Sequence, residues 1–182
     1  MSPTDSLRRD HLLIEKMINA LKIVSSMLRE GKSIPSPILK QAIDFSINFT
    51  NTCHHGKEEE SLFPALEKKG MPKQGGPIAR MLYEHEITTN LASAIVASAG
   101  SYLQGSEADR LVSDIDNYVE HVEMHLAKEN QRLFVMADMI LSDQSLEVDQ
   151  ELEVVEKTKL ESMNQSRHHY EKIVDELEAI NK

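Results

Sequence analysis

Apolar residues recur at steps of three and four along four long stretches of the chain, which is the spacing of one helix face. Short clusters of Gly, Pro and Ser separate the stretches. We therefore predict long helices over residues 5–30, 37–69, 77–103 and 106–141. Because the connections between these long helices are short, neighbours should run antiparallel, giving an all-α, up-down-up-down four-helix bundle.

Each predicted helix carries a stripe of residues that should face the core. In the first helix the stripe comprises Leu7, His11, Ile14, Ile18, Leu21, Ser25 and Leu28. In the third it comprises Ile78, Leu82, His85, Thr89, Ala92, Val96, Ala99 and Leu103. In the fourth it comprises Leu111, Ile115, Tyr118, Val122, His125, Glu129, Leu133, Met136 and Ile140.

The remaining segment, residues 146–182, is charged and amphipathic, with apolar residues at helical spacing. It is predicted to form one or two helices packed outside the bundle. The expected organisation is a bundle over residues 1–145 followed by a C-terminal helical extension over residues 146–182.

Composition excludes several classes of function. Asp and Glu outnumber Lys and Arg by 30 to 20, so the formal net charge is −10. An acidic chain is poorly suited to nucleic acid or an anionic membrane surface, both of which need a basic face. The single cysteine excludes an internal disulfide framework and a Cys-rich metal site. No signal peptide and no membrane span are expected, so a cytoplasmic location is predicted.

Polar residues interrupt the apolar stripes. His11 lies on the core stripe of the first helix and His85 on that of the third. His125 and Glu129 lie one turn apart on the stripe of the fourth. Burying an unpaired carboxylate is unfavourable by several kcal/mol, so a core glutamate needs a cation or several hydrogen-bond donors.

The second helix contains adjacent histidines and offers two helical registers. The register of His54 and Glu58 continues upstream through mostly apolar residues, whereas that of His55 and Glu59 continues through polar ones. We therefore expect His54 and Glu58 to face the core, and His55 and Glu59 to lie at the rim or surface. Pro64 breaks a helical hydrogen bond and could shift the phase downstream.

These residues form a pattern with the chemistry of a metal centre: one histidine from each helix, and one glutamate four residues after the histidine in the second and fourth helices. The predicted ligands are His11, His54, Glu58, His85, His125 and Glu129. Imidazole and carboxylate suit zinc, iron, manganese or nickel. Two bridging glutamates could hold two ions, since each shared carboxylate neutralises part of both. The zinc-protease pattern His-Glu-x-x-His and the ferritin-type pattern Glu-x-x-His are absent.

Other polar residues are expected to have supporting or structural roles. His121 could be a core residue, a hydrogen-bond partner of a ligand or an extra ligand. Glu15 is expected to be solvated or partly buried, and Cys53 to be a buried, inert thiol. His168 and His169 should lie at the surface or in packing contacts.

Asp10-His11 is followed along the chain by four characteristic phrases: HHGKEEESLFPAL (54–66), GGPIARMLYEHE (75–86), HLAKENQRLF (125–134) and MAD (136–138). In these residues the sequence resembles the hemerythrin-like, HHE cation-binding family in its bacterial single-domain form. It implies an antiparallel four-helix bundle around a non-haem, carboxylate-bridged di-iron site, with the six residues named above as ligands. Zinc or manganese remains an alternative to iron.

The sequence departs from the oxygen-carrying hemerythrins at two ligand positions. Those proteins have a fifth histidine where this chain has Thr89, and an aspartate five residues after the fourth-helix histidine, where this chain has Glu129 at four. His121, Glu86, His55 or water could take the fifth position.

The leading functional hypothesis is a di-iron protein that senses, binds or handles oxygen, nitric oxide or iron. A small diatomic ligand would reach open coordination positions on the metals. The alternatives are a di-iron enzyme of the peroxidase-like, nitric-oxide-reducing or iron–sulfur repair type, and a structural zinc-binding bundle. The oligomeric state stays open.

Overall fold

The computed structural model describes residues 2–181, and among these residues there are helices and no strand. The first bundle helix is α1 (Asp5–Arg29), the third is α4 (Pro77–Leu103), and the fourth begins with α5 (Asp109–Lys128). In this described part, no helix is both long and apolar enough to cross a membrane. The predicted all-α bundle with a C-terminal extension is confirmed.

The second and fourth bundle helices contain wider, π-helical turns. The second runs through α2 (Ser36–Asp44), π-helical segments at Phe45–His55 and Glu58–Leu62, and α3 (Phe63–Lys68). The fourth continues from α5 through a π-helical segment at Glu129–Leu133 into α6 (Phe134–Ile140). Such turns are rare and are frequently found at functional sites. Pro64 lies in the first turn of α3, directly after a π-helical segment.

Contacts between the helices establish their antiparallel order. Near the start of α1, His11 contacts Glu129 late in the fourth helix, while Arg29 at the end of α1 pairs with Asp116 early in that helix. His85, in the first half of α4, contacts Glu58 late in the second helix.

The buried side of the third helix differs from the predicted one. The predicted residues Thr89, Val96 and Leu103 are exposed. Thr88 and Ile95, one position earlier, are buried instead. Both flanks lie beside the shared positions Ile78, His85, Ala92 and Ala99, so helical spacing alone could not separate them. Packing against the fourth helix decides the choice, since His121 of that helix contacts Thr88.

The C-terminal extension consists of α7 (Ser145–Ser162) and α8 (Arg167–Glu178). Its apolar side chains join the same buried clusters as the bundle: Tyr170, Val174 and Leu177 pack with Phe45 and Phe49 of the second helix. The second helix is therefore covered on two sides, by the bundle core and by the extension. The division of the chain near residue 145 stays a prediction.

Two apolar clusters fill the interior, and a layer of polar residues separates them. One cluster contains Ile14 and most of the buried apolar side chains of the bundle. The other cluster contains Leu7, Leu62 and Leu133. His11 lies between the two in sequence, because it falls between Leu7 and Ile14 on α1. The apolar clusters therefore exclude water above and below this polar layer.

Candidate metal centre

The structure brings the six predicted ligands together in the polar layer. Each is buried, with at most 4% of its surface exposed: His11, His54, Glu58, His85, His125 and Glu129. Each bundle helix contributes at least one of them. Whether each residue binds metal stays a prediction, which the geometry below supports.

His55 also lies in this layer, and its predicted position at the rim is wrong. Its residue surface is 3% exposed. The prediction assumed an α-helical turn, but residues Phe45–His55 are π-helical. The wider turn changes the angle between successive side chains, so His54 and His55 both face the interior. Glu59 is exposed at the rim, as predicted.

The ligand atoms fall into two groups, each compact enough to hold one ion. The three-histidine subsite contains His55, His85, His125 and Glu58. The two-histidine subsite contains His11, His54, Glu58 and Glu129. Within each group all ligand atoms lie within 4.8 Å of one another.

The two glutamates connect the subsites. Glu58 belongs to both groups. Glu129 directs Oε1 to within 3.1 Å of His125 Nε2, and Oε2 to within 3.1 Å of His11 Nε2. Each carboxylate therefore lies between the two groups of ligand atoms.

The spacing of these atoms fits the edges of a coordination shell. Two atoms that each lie about 2.1 Å from one ion at right angles are about 3 Å apart. His11 Nε2 lies 3.2 Å from His54 Nε2, and His85 Nε2 lies 3.1 Å from Glu58 Oε2. Among the described residues, neither oxygen of Glu58 or Glu129 has an aligned hydrogen-bond partner, nor has Nε2 of His85 or His125. Buried atoms of this kind need a partner, and a cation is the partner that fits both donor types.

Hydrogen bonds fix the orientation of four histidine rings. In each ring Nδ1 donates to an oxygen at 2.7–3.2 Å, so the proton is held there and the lone pair of Nε2 points inward. The pairs are His11 with Asn130, His54 with Asp10, His85 with Glu59, and His125 with Glu84. Two inward lone pairs 3.2 Å apart, on His11 and His54, repel each other unless a cation lies between them.

Without metal, protons take over part of the charge balance. Burial alone would lower the pKa of His125, but the carboxylates of Glu129 and Glu84 raise it to about 9. Burial likewise opposes ionisation of Glu129, yet the surrounding imidazoles hold its pKa well below the usual range. His55 behaves differently: burial, together with His85 and His125, lowers its pKa well below the usual value. A neutral imidazole is the form that binds a metal.

Two carboxylates that support the ligands were missed by the stripe pattern. Asp10 precedes His11 but accepts from His54, and Glu84 precedes His85 but accepts from His125. In each acid–histidine pair, the histidine faces the centre while the acid supports a histidine of another helix. Neighbouring residues do not share a helix face, so the stripe pattern could not identify these acids. The only sequence signal for their supporting role was an acidic residue directly before His11 and before His85.

The other candidates for a fifth nitrogen or oxygen ligand lie elsewhere. His121 Nε2 is 3.0 Å from the backbone oxygen of Glu84 and 3.1 Å from Thr88 Oγ1, and it belongs to neither group. Glu86 and Thr89 are exposed.

Cys53 is a buried thiol whose pKa burial raises to about 12, so it stays protonated at neutral pH.

Comparison with known proteins identifies the class. The hemerythrin HHE cation binding domain matches residues 2–137, and this chain belongs to that family. Membership of this family and the buried cluster of histidines and glutamates together indicate metal binding.

The chain is also similar to curated proteins of mycobacteria. Uncharacterized proteins of Mycobacterium bovis and Mycobacterium tuberculosis are each 23% identical to it over 131 residues, which is 71% of this chain and 51% of theirs. This chain therefore spans about half the length of the curated relatives it matches. No solved structure is a significant match.

Proposed function

We propose that this protein binds two iron ions and uses them to sense, bind or handle oxygen, nitric oxide or iron. One observation carries the proposal: imidazole nitrogens and two shared carboxylates converge in one buried layer. Apolar side chains close off this layer on both sides. His55, His85 and His125 with Glu58 would hold one ion. His11 and His54 with Glu58 and Glu129 would hold the other.

The inequality of the subsites supports a role in binding a small ligand. One subsite has three imidazoles and the other has two, so the second supplies fewer protein ligands. Bound ferrous iron would supply redox and ligand-binding chemistry for a diatomic molecule. His55 raises the number of imidazoles to five and leaves fewer open positions than four imidazoles would.

A groove between the first and fourth helices reaches the wall of the two-histidine subsite. It encloses about 420 Å³ and is lined by Ile18, Leu126 and Asn130, with Glu15 and Glu123 at its rim. Asn130 also accepts the hydrogen bond from His11. A small ligand entering this groove would therefore need to pass Asn130 and the ring of His11 to reach the subsite.

Metal analysis and optical spectra test the proposal. Protein purified under low oxygen should contain close to two irons per chain, and its oxidised form should absorb in the near-ultraviolet. Nitric oxide added to the reduced form, and azide added to the oxidised form, should each change the spectrum. The Glu58→Gln variant is the control, because it removes the carboxylate shared by both subsites.

Other outcomes would identify the alternatives. Zinc at two per chain with a featureless spectrum would indicate a structural bundle. Iron that responds to neither ligand would contradict the proposed handling of diatomic molecules and leave iron storage. Catalytic turnover of peroxide or nitric oxide would favour the enzyme hypothesis.

A further inference from the structure

A buried lysine joins the bundle to the C-terminal extension. Lys57, in the second bundle helix, is 0% exposed. Its Nζ donates to Ser6 Oγ at 2.7 Å, to Asp10 Oδ2 at 2.8 Å and to Glu156 Oε2 at 2.7 Å. All three protons of the ammonium group are thus used, and one of the acceptors belongs to α7 of the extension.

Asp10 connects this network to a candidate metal ligand. Its Oδ2 accepts from Lys57 and also from His54 Nδ1. Its Oδ1 accepts from Arg167 Nη1 at 2.6 Å. Arg167, in α8, also lies 3.3 Å and 3.4 Å from the two oxygens of Glu156. A continuous path of hydrogen bonds therefore runs from the extension through Asp10 to the ring of His54.

When the extension is in place, each anion of this network pairs with two cations. Lys57 and Arg167 are cations, and Asp10 and Glu156 are anions, so these four side chains together carry no net charge. The extension supplies one charge of each sign. Without Arg167, the buried carboxylate of Asp10 would keep only Lys57 as a cationic partner.

Among the described residues, the rings of His11, His85 and His125 have no such path to the extension. The rings of His85 and His125 are oriented by Glu59 and Glu84, and that of His11 by Asn130, all within the bundle. These partners lie in the family-matched residues 2–137, whereas Glu156 and Arg167 lie beyond them.

We infer that Arg167 and Glu156 are positioning residues for His54, so that the C-terminal extension sets the affinity of the two-histidine subsite and leaves the three-histidine subsite unaffected. The inference rests on the proposed metal binding. A buried partner that orients a ligating histidine typically changes metal affinity by about 10- to 100-fold. Arg167 acts one contact further away, through Asp10.

Titrating cobalt(II) into the metal-free, full-length protein tests this, followed by visible absorption and calorimetry. In Arg167→Gln, one of the two ions should bind about tenfold more weakly, at the lower end of that range, and the other should be unchanged. Arg167→Lys should restore most of the loss because it keeps a cation beside Asp10. Far-UV circular dichroism shows whether each variant is folded, and Glu156→Gln provides the same test if Arg167→Gln does not fold.

Lys159→Gln is the matched control. Lys159 lies in α7 and pairs with Glu60 of the second bundle helix, so its loss weakens a contact between the extension and the bundle. Within residues 2–181, the ammonium group of Lys159 pairs with no residue that orients a histidine of the centre. Both cobalt affinities should therefore stay at their wild-type values.

A double variant separates positioning from a general loss of structure. When His54→Ala has already emptied the two-histidine subsite, adding Arg167→Gln should not weaken the remaining ion. A further loss in that background would overturn the inference, as would wild-type affinity for both ions in Arg167→Gln. If the wild-type protein takes up no cobalt, iron or zinc, the proposed metal binding fails first, and the inference fails with it.

Discussion

The imidazole rings of His55 and His85 lie nearly parallel, tilted by 9° with their centroids 3.7 Å apart. The two residues come from the second and third bundle helices, and both belong to the three-histidine subsite. The low pKa of His55 keeps its ring neutral beside His85. The contact therefore joins two neighbouring helices at the candidate metal centre without placing two positive charges in contact.

We predict that His55→Ala reduces bound metal from about two ions per chain to about one. The reason is that only two imidazoles then remain in its subsite. Metal analysis after gel filtration measures the change. His121→Ala is the control, because its ring is hydrogen-bonded outside both groups. Two ions retained in His55→Ala would show that His55 only packs against His85.

Glu58 and Glu59 should differ strongly although they are adjacent. Glu58 is fully buried and shared by both subsites, so Glu58→Gln should lose both ions. Glu59 orients His85 through a 2.7 Å hydrogen bond, so Glu59→Gln should keep both ions with affinity lowered about 10- to 100-fold. Competition with a chelator measures both affinities. If Glu59→Gln lost both ions and Glu58→Gln kept them, the assignment of Glu58 as the metal-binding glutamate of the second helix would be wrong.

Metal removal should lower the melting temperature. An ion that binds only the folded state, at a hundred times its Kd, stabilises it by about 2.7 kcal/mol. For a chain of this size that corresponds to a shift of roughly 5–10 °C. Calorimetric scans with and without chelator measure the shift, and Glu58→Gln should show none. An unchanged melting temperature after verified metal loss would mean that the polar layer satisfies its own hydrogen bonds.

The stability of the metal-free protein should depend on pH in a defined direction. Folding raises the pKa of His125 from 6.5 to about 9. A raised histidine pKa contributes stability that is complete below about pH 6.5 and is lost as the pH rises through the folded value. Chelated protein should therefore become less stable between about pH 6.5 and pH 9. Urea unfolding at several pH values measures this, with chelated His125→Gln expected to show a shallower decline.

The metal-loaded protein should respond in the opposite direction at low pH. Metal and protons compete for the same imidazoles, so metal affinity should fall as the pH falls. Metal retention during dialysis at decreasing pH measures this competition. Equal retention at all pH values would indicate that the histidines are not the ligands.

The sequence predicted those parts of the site that follow ordinary helix geometry. His125 and Glu129 are four residues apart and share a face, because the π-helical segment of the fourth helix begins only at Glu129. His55 could not be placed because its position depends on turns wider than the spacing rule assumes. Asp10 and Glu84 could not be assigned because each acts on a histidine of another helix, and helix periodicity carries no information about such pairs.

The π-helical segment that ends at His55 has a consequence for how such centres diversify. A π-helical turn holds one more residue than the α-helical turn it replaces, so one inserted codon can create it while the rest of the helix keeps its place in the bundle. At this position the insertion would bring a second, adjacent side chain into the interior. A lineage could in this way gain or lose a ligand without rebuilding the fold, and alignments that allow no gap inside a helix would pair the wrong histidines between relatives.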